Sequence, residues 1–336
     1  MSTMKAWQFK TANGGIEKNL FLSDAGVDIP KITDNEVLVE VYAAALNPVD
    51  YKLPEMGLLA KVAVPSPCTP GRDFCGKVVK RGSKANSFEV GEMVFGAYTA
   101  TSGHGSLAQY VSVTEETIAS MPEGLQVDDA AGIGVAGLTA YQSIKPYVKD
   151  GDKVFINGGS GGTGVFCIQI AKLLGCHVTV TCSSANADLC KSIGADEIID
   201  YKLVDIVNAL QEKGQVFKLA VDNVGTPANL YKVSHNFLAP DGQFIQVGAS
   251  SGIGTFAHVA SNMFVPSFLG GGKRKYRLEI TKFNTEELAE IGKWMKEGKI
   301  QAVTDSTFDF NDVPKAFEKL RTGRTKGKIV VHVKKN

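Results

Sequence analysis

Val154-Phe155-Ile156-Asn157-Gly158-Gly159-Ser160-Gly161-Gly162-Thr163-Gly164 decides the fold of this chain. A short run of strand formers, Lys153 to Asn157, enters a glycine-rich turn. The chain leaves it with apolar residues at Val165, Ile168, Ala171 and Leu174, the three-to-four spacing of a helix over Gly162 to Gly175. Gly159, Gly161 and Gly164 fit the pattern G-x-G-x-x-G. The first glycine permits a tight turn, the middle of the run lets backbone approach a pyrophosphate, and the last lets helix pack on strand. The helix N-terminus adds free N–H groups and a partial positive charge. Glycine alone is weak evidence, because any loop can use it. The strand before, the helix after and a second strand at His177 to Cys182 turn the pattern into a dinucleotide-binding reading.

Outward from that stretch, a helix is expected over Ala185 to Ile193 and strands over Glu197 to Asp200, Lys218 to Asn223 and Gln243 to Val247. Alternating strands and helices imply a doubly wound parallel sheet with helices on both faces. Upstream the chain is β-rich. Glu36 to Val41, Gly76 to Lys80 and Glu92 to Gly96 read as short strands punctuated by Asp34-Asn35 and Arg81-Gly82-Ser83, which suggests a barrel-like or sandwich module. The pattern changes near residue 125, where Val127 to Ala131 and Leu138 to Ile144 read as helical. It reverts after about residue 270, with a helix over Thr285 to Glu297, a short strand Ala302-Val303-Thr304, a helix over Val313 to Leu320 and a closing strand Lys328 to Val333. The expected class is α/β. A β-rich domain built from 1–125 and 271–336 encloses a dinucleotide-binding domain at 126–270.

Composition narrows the partners. A length of 336 residues suits one long domain or two ordinary ones, and 44% hydrophobic residues can build packed cores. A net charge of +1 writes in no pull toward nucleic acid or anionic membrane. The densest basic run, Lys273-Arg274-Lys275 with Arg277, reads as a solvated loop. No apolar run long enough for a membrane span occurs and the start lacks a secretory pattern, so the cytoplasm is the expected compartment. The six cysteines form no Cys-x-x-Cys pair and read as buried reduced thiols; a cysteine-rich zinc lobe is excluded.

The end of the second strand bears on the cofactor. NAD sites place Asp or Glu there for the ribose 2′-hydroxyl. This strand ends Thr181-Cys182-Ser183-Ser184-Ala185-Asn186, and the first acid, Asp188, falls inside the next helix. Small hydroxyls and an amide accept a phosphate without repulsion, which favours NADPH. No Arg or Lys stands at that strand end; Tyr201 or Lys202, after the third strand, could assist.

Several motifs in order resemble a known family: Asn47-Pro48-Val49-Asp50-Tyr51-Lys52, Pro70-Gly71-Arg72-Asp73-Phe74-Cys75-Gly76, Gly137-Leu138-Thr139-Ala140-Tyr141, Ser160-Gly161-Gly162-Thr163-Gly164, Ile199-Asp200-Tyr201 and Gly327-Lys328-Ile329-Val330. Over nearly its whole length the chain is similar to the zinc-independent, quinone oxidoreductase-like (zeta-crystallin-like) medium-chain dehydrogenase/reductases. The resemblance implies a GroES-like catalytic domain made from both chain ends, an inserted Rossmann domain, and a nicotinamide held in the cleft between them. Zinc-dependent relatives hold the metal with Cys, His and Cys. The matching places look like Asn47, Arg72 and Val135, none of which is a normal ligand. Without a Lewis acid an alkoxide is poorly stabilised, whereas a conjugated acceptor spreads the charge onto an enolate or hydroquinone oxygen. The implied reactions are reduction of quinones or of the C=C of enones and enals.

Within that resemblance Asn47 is expected beside the nicotinamide, bonding cofactor or substrate, with turn formation before Pro48 as the plainer use. Tyr51 and Lys52 are candidates to stabilise oxyanion charge or deliver a proton, and each also suits a plain surface role. Asp50 is expected to organise its loop, Arg72 to pair with Asp73, and His104 to be a loop residue. Thr139 bonds a carboxamide or caps a helix. Gly248 brings backbone to the nicotinamide after the fifth strand. Phe264, Phe268 and Gly270-Gly271-Gly272 either shape a lip or simply fill a contact. The cofactor-binding set is Asn47, Thr139, Gly159, Ser160, Gly161, Gly162, Thr163, Gly164, Ser183, Ser184, Asn186, Tyr201 and Gly248. The partner is a small-molecule quinone or enone, with a homodimer as a further expectation. A trans-acting enoyl reductase of a polyketide pathway and a catalytically weak NADPH-binding protein are the alternatives.

Overall fold

The computed structural model describes residues 3–57, 64–99, 103–248 and 253–334. The side chains of 24, 25, 253–258 and 268 lie outside that description, and with them the expectation for Phe268. The chain divides into two units, Met1–Leu138 with Lys282–Asn336, and Thr139–Thr281.

The first unit opens with β1 (Thr3–Gln8) and β2 (Phe21–Asp28), an antiparallel pair. There follow β3 (Glu36–Leu46), α1 (Val49–Lys52), β4 (Asp73–Arg81), β5 (Met93–Ala97), β6 (Tyr110–Thr114), β7 (Ile118–Ser120) and α2 (Val127–Ala131). The helix α3 (Gly134–Ile144) carries the division at Leu138. The second unit continues with β8 (Lys153–Asn157), α4 (Gly162–Leu173), β9 (His177–Cys182), α5 (Ala187–Ser192), β10 (Glu197–Asp200), α6 (Ile206–Glu212), β11 (Phe217–Asp222), β12 (Leu238–Gln246), α7 (Ile253–Phe264) and β13 (Lys275–Leu278). The chain then returns to the first unit through α8 (Thr285–Lys296), β14 (Thr304–Asp309), α9 (Val313–Arg321) and β15 (Lys328–His332). None of the described helices is long and apolar enough to cross a membrane.

The first unit's main sheet runs β14-β15-β3-β4-β5-β7, with β6 also on β3. Its long central strand β3 is rich in Val and Ala and antiparallel to both neighbours, with Ala45 opposite Asp73 and Leu46 opposite Ile329. The start of β4, the start of β15 and the end of β3 therefore meet at one edge of the sheet. Behind them Phe74, Phe317, Val39 and Ile329 share one buried core.

The second unit's sheet runs β10-β9-β8-β11-β12-β13, all pairs parallel. This is the 3-2-1-4-5-6 order of the Rossmann fold. Val154, Phe155 and Ile156 of β8 are all fully buried, as a strand covered on both faces requires. Phe155, Phe217 and Phe237 hold the core, with ring centroids 5.9 to 6.3 Å apart.

Three segments sit differently from the sequence expectation, the first being the strand expected at Ala302-Val303-Thr304, which instead runs Thr304–Asp309. Residues 275–278 form the sixth parallel strand, Tyr276 beside Phe244, so the sheet extends past residue 270. Their alternating Lys-Tyr-Arg-Leu pattern, half exposed at a sheet edge, carries no apolar run to announce it. The short α2 packs on β3 and β4, which keeps it with the first unit.

Candidate active site and cofactor turn

The strand order reverses between β8 and β11, where a doubly wound sheet opens its ligand crevice. A polar relay crosses the strand ends at that point. Thr181 Oγ1 donates to Asn157 Oδ1 at 2.6 Å and accepts from the Gly158 N–H at 2.8 Å. Asn157 Nδ2 donates to Asp222 Oδ1 at 2.8 Å, and Gln246 Nε2 reaches Asp222 Oδ2 at 3.1 Å. Gln246 also donates to the Gly248 carbonyl at 2.5 Å. All four side chains are buried, and burial pushes the Asp222 carboxyl above its usual range despite N–H donors from Gly225 and Val224. These four residues belong to neither the catalytic candidates nor the cofactor-binding set drawn from the sequence. Their signal was a polar last or near-last residue on four otherwise apolar strands.

The relay fixes the glycine-rich turn. The left-handed backbone falls on Gly158, with φ 82°, rather than on Gly159, where a Cβ would sit 2.8 Å from Val180. At Gly164 a Cβ would lie 2.1 Å from the Gly158 carbonyl oxygen, so only glycine lets α4 start this close to the turn. Gly161 is different. Its φ is −79° and a Cβ would meet nothing nearer than 3.7 Å. Neither its backbone conformation nor its packing requires a glycine there. As N-cap of α4, Gly161 supplies no side-chain cap, so Gly162, Thr163 and Gly164 form an uncapped first turn.

Asn186 Nδ2 donates to Ser160 Oγ at 2.9 Å, joining the region after the second strand to the turn. Ser183 is buried beside it. Ser184 brings a surprise from the third strand. Both its N–H, at 2.7 Å, and its hydroxyl donate to Asp200 Oδ2, which holds that carboxyl below its usual range. Parallel pairing puts Asp200 opposite Cys182, a placement no local sequence pattern reveals. Tyr201 follows, half exposed. Thr139 is buried, its hydroxyl 2.5 Å from that of Thr281. The six cysteines are free and buried.

In the first unit the sheet edge gathers a second polar cluster. Asn47 Nδ2 donates to Asp73 Oδ2 at 2.8 Å, and Lys328 Nζ reaches Asn47 Oδ1 at 2.5 Å and Asp73 Oδ2 at 3.0 Å. The Val135 N–H donates to Asp73 Oδ1 at 2.8 Å. Asn47, Asp73 and Lys328 are each at most 5% exposed. Two of the positions matched to metal ligands, Asn47 and Val135, thus converge on Asp73. Among the described residues no three His, Cys, Asp or Glu side chains gather closely enough to hold a metal ion. Arg72 adjoins this cluster in sequence; the side chain of Asp73 is bonded by Asn47, Lys328 and the Val135 N–H, and the charge of Arg72 acts on Asp50. Sequence reading singled out Asn47 but not Asp73 or Lys328, which are near only after β3, β4 and β15 align.

Of the other candidates, Tyr51 lies with its ring 4.7 Å from the Arg321 guanidinium, and Arg321 pairs with Glu17 and Glu55. Burial pushes the Tyr51 phenol up and the Lys52 ammonium down. His104 pairs in a short bridge with Thr69, a loop placement as expected.

A glycine turn at the strand reversal of a doubly wound sheet is the arrangement in which Rossmann domains bind dinucleotides. Residues 33–123 match the family described as alcohol dehydrogenase GroES-like domain, and residues 193–331 match zinc-binding dehydrogenase. The chain is 45% identical to the trans-enoyl reductase pgmF of Aspergillus terreus over 99% of its own length and 97% of the relative's. It is 33% identical to the 2-methylene-furan-3-one reductase of Solanum lycopersicum, covering 98% of this chain and 79% of that one. The solved quinone oxidoreductase from Coxiella burnetii superposes with a TM-score of 0.84 at 32% identity, over 98% and 99% of the two chains. The chain belongs to the medium-chain dehydrogenase/reductase family, in its quinone oxidoreductase-like branch, and is an oxidoreductase.

Proposed function

We propose that this protein is an NADPH-dependent, metal-free reductase of quinones and of C=C bonds conjugated to a carbonyl. The observation that carries the reading is the Asn47–Asp73–Lys328 cluster. It fills with an amide, a carboxylate and an ammonium the place where the resemblance puts a metal. With Asn47, Arg72 and Val135 at the ligand positions, no ordinary zinc donor is present, and acceptors that delocalise their own charge are favoured over alcohols.

Gly159 to Gly164 would hold the pyrophosphate of the dinucleotide at the N-terminus of α4. Ser183, Ser184, Asn186 and Tyr201 would receive the ribose phosphate. Within the second unit Thr139 and Gly248 would serve the nicotinamide end; within the first, the Asn47 amide is held in one orientation by Asp73 and Lys328. When bound, the dinucleotide supplies a hydride. Lys52, with its pKa lowered by burial, gives up a proton more readily than an exposed lysine; Tyr51 stays a neutral phenol. NADPH oxidation screened against quinones, enals and enones tests the reading. Turnover with conjugated acceptors, unchanged by EDTA, is the expected result. Turnover of simple alcohols, or loss with EDTA restored by zinc, overturns it.

A second reading places the same chemistry on a carrier-bound chain, as a trans-acting enoyl reductase. It is favoured by the 45% identity over 99% of the chain to a trans-enoyl reductase. Single turnover with an enoyl chain on a carrier protein, faster than with the free enoyl thioester, would select it.

A further inference from the structure

The helix α1 is four residues long, Val49–Lys52, and its N-cap Pro48 brings no side-chain cap. A helix that short is not stable by itself, so contacts from outside must hold it. Within the first unit the chief one comes from Arg321, which closes α9, 266 positions along the chain from Glu55. Its guanidinium lies 4.7 Å from the centre of the Tyr51 ring. Nε and Nη2 donate to Glu17 Oε2 at 3.0 and 2.7 Å. Nη1 donates to Glu55 Oε2 at 3.0 Å, and Nη2 also reaches Glu55 Oε1. Glu55 in turn accepts the Ile16 N–H at 2.9 Å, and its own N–H donates to the Tyr51 carbonyl at 3.2 Å.

The grip has a specific chemistry. The Glu17 and Glu55 side chains are only 6% and 21% exposed, so these are not loose surface pairs. A planar fork that takes two carboxylates along its edges keeps a face for an aromatic ring, which an ammonium does not offer. Successive helical residues do not face the same way. The grip therefore takes Tyr51 and leaves Lys52 on another face of the turn, where burial lowers the pKa of its ammonium.

We propose that Arg321 is a positioning residue that grips Tyr51 and Glu55, fixes the turn α1 and so sets the place of the Lys52 ammonium. The proposal rests on the reductase reading above, in which Lys52 gives up a proton. It gives Tyr51 a part other than the one its phenol suggests: the ring is what is held, and the hydroxyl takes no share in holding it.

The test uses the full-length protein and two readouts. The first is pulse labelling of lysines with acetic anhydride across a range of pH, read residue by residue by mass spectrometry. Only the neutral amine reacts, so the midpoint of each curve reports that lysine's ionisation. In wild type the Lys52 midpoint should lie below those of exposed lysines. Arg321→Met should raise it to the exposed value, because a loosened turn returns the ammonium to water. Tyr51→Leu should do the same and Tyr51→Phe should not, and these two decide the matter even if Arg321→Met fails to fold. Lys328, 3% exposed, is the internal control and should stay unlabelled. The second readout is NADPH-driven reduction of benzoquinone. Arg321→Met should lower kcat about tenfold or more, as displacement of a proton-donating group does. A donor must be protonated to act, so the alkaline limb of kcat should move to higher pH with the Lys52 midpoint, while NADPH affinity stays as in wild type. Arg321→Lys, which keeps the charge and loses the fork, should fall between the two.

A Lys52 midpoint unmoved in Arg321→Met and Tyr51→Leu overturns the proposal. So does labelling of Lys328 together with Lys52, which would make Arg321 a support of the whole unit, and so does a fall in kcat with no change at Lys52. Midpoints that move as expected in a protein that turns over no quinone or enone would sink the reductase reading and leave the grip on α1 standing.

Discussion

At the residue scale, Gly161 and Gly164 of one turn meet different surroundings, and substitution separates them. Gly161→Ala meets no clash, so the melting temperature should stay within error of wild type. Affinity for the dinucleotide should still fall about tenfold or more, because the methyl stands where pyrophosphate must approach the backbone. Gly164→Ala drives a Cβ into the Gly158 carbonyl and should lower stability itself. Thermal melts with and without NADPH distinguish the two. Asp50 makes an opposite kind of prediction. Its carboxyl is raised from 3.8 to about 7 by burial, so between those values the folded state holds a proton that the unfolded chain has lost. Its contribution to stability therefore declines as pH rises through that window. Asp50→Asn, which cannot ionise, should gain stability relative to wild type at pH about 8 and lose that advantage at about 4. Equal differences at both values would mean the carboxyl titrates normally.

At the element scale, strand ends and starts build both clusters. Lys328 opens β15, Asp73 opens β4 and Asn47 follows β3, so three strands contribute one polar group each. Removing one partner of a buried ion pair strands the other. Lys328→Met should cost about 3–5 kcal/mol in chemical denaturation. Lys328→Met with Asp73→Asn should recover part of that loss, since the isolated charge is gone. Purely additive losses would argue that the pair is not coupled. In the second unit, Asp200 at the end of β10 occupies the hydrogen-bond donors of Ser184. A 2′-phosphate would compete with it for the same donors. Asp200→Asn should tighten NADPH binding several-fold and leave NADH nearly unchanged; equal effects on both would place the carboxylate away from the phosphate.

At the scale of the whole molecule, the cofactor prediction is linkage. A ligand at about 100 times its Kd stabilises the folded state by about 2.7 kcal/mol, several degrees for a unit the size of Thr139–Thr281. NADPH should give that shift at concentrations where NADH gives little. Matching shifts would transfer the preference to neither cofactor and put Asp200, not the serines, in control.

The sequence by itself determined the periodic parts. Strands β8, β9 and β10 stand where their apolar runs end, and the glycine turn is bracketed as G-x-G-x-x-G demands, because period and turn chemistry are local. The turn at Asn47-Pro48, directly after the long strand β3, was legible for the same reason. Tertiary structure alone decided who meets whom. Asp73 and Lys328 reach Asn47, Asp200 reaches Ser184, and Asn157 joins Asp222 through sheet register, which is set by pairing between strands as many as 281 positions apart. The edge strand β13 escaped for a related reason. Four alternating residues acquire strand geometry only when β12 offers its hydrogen bonds.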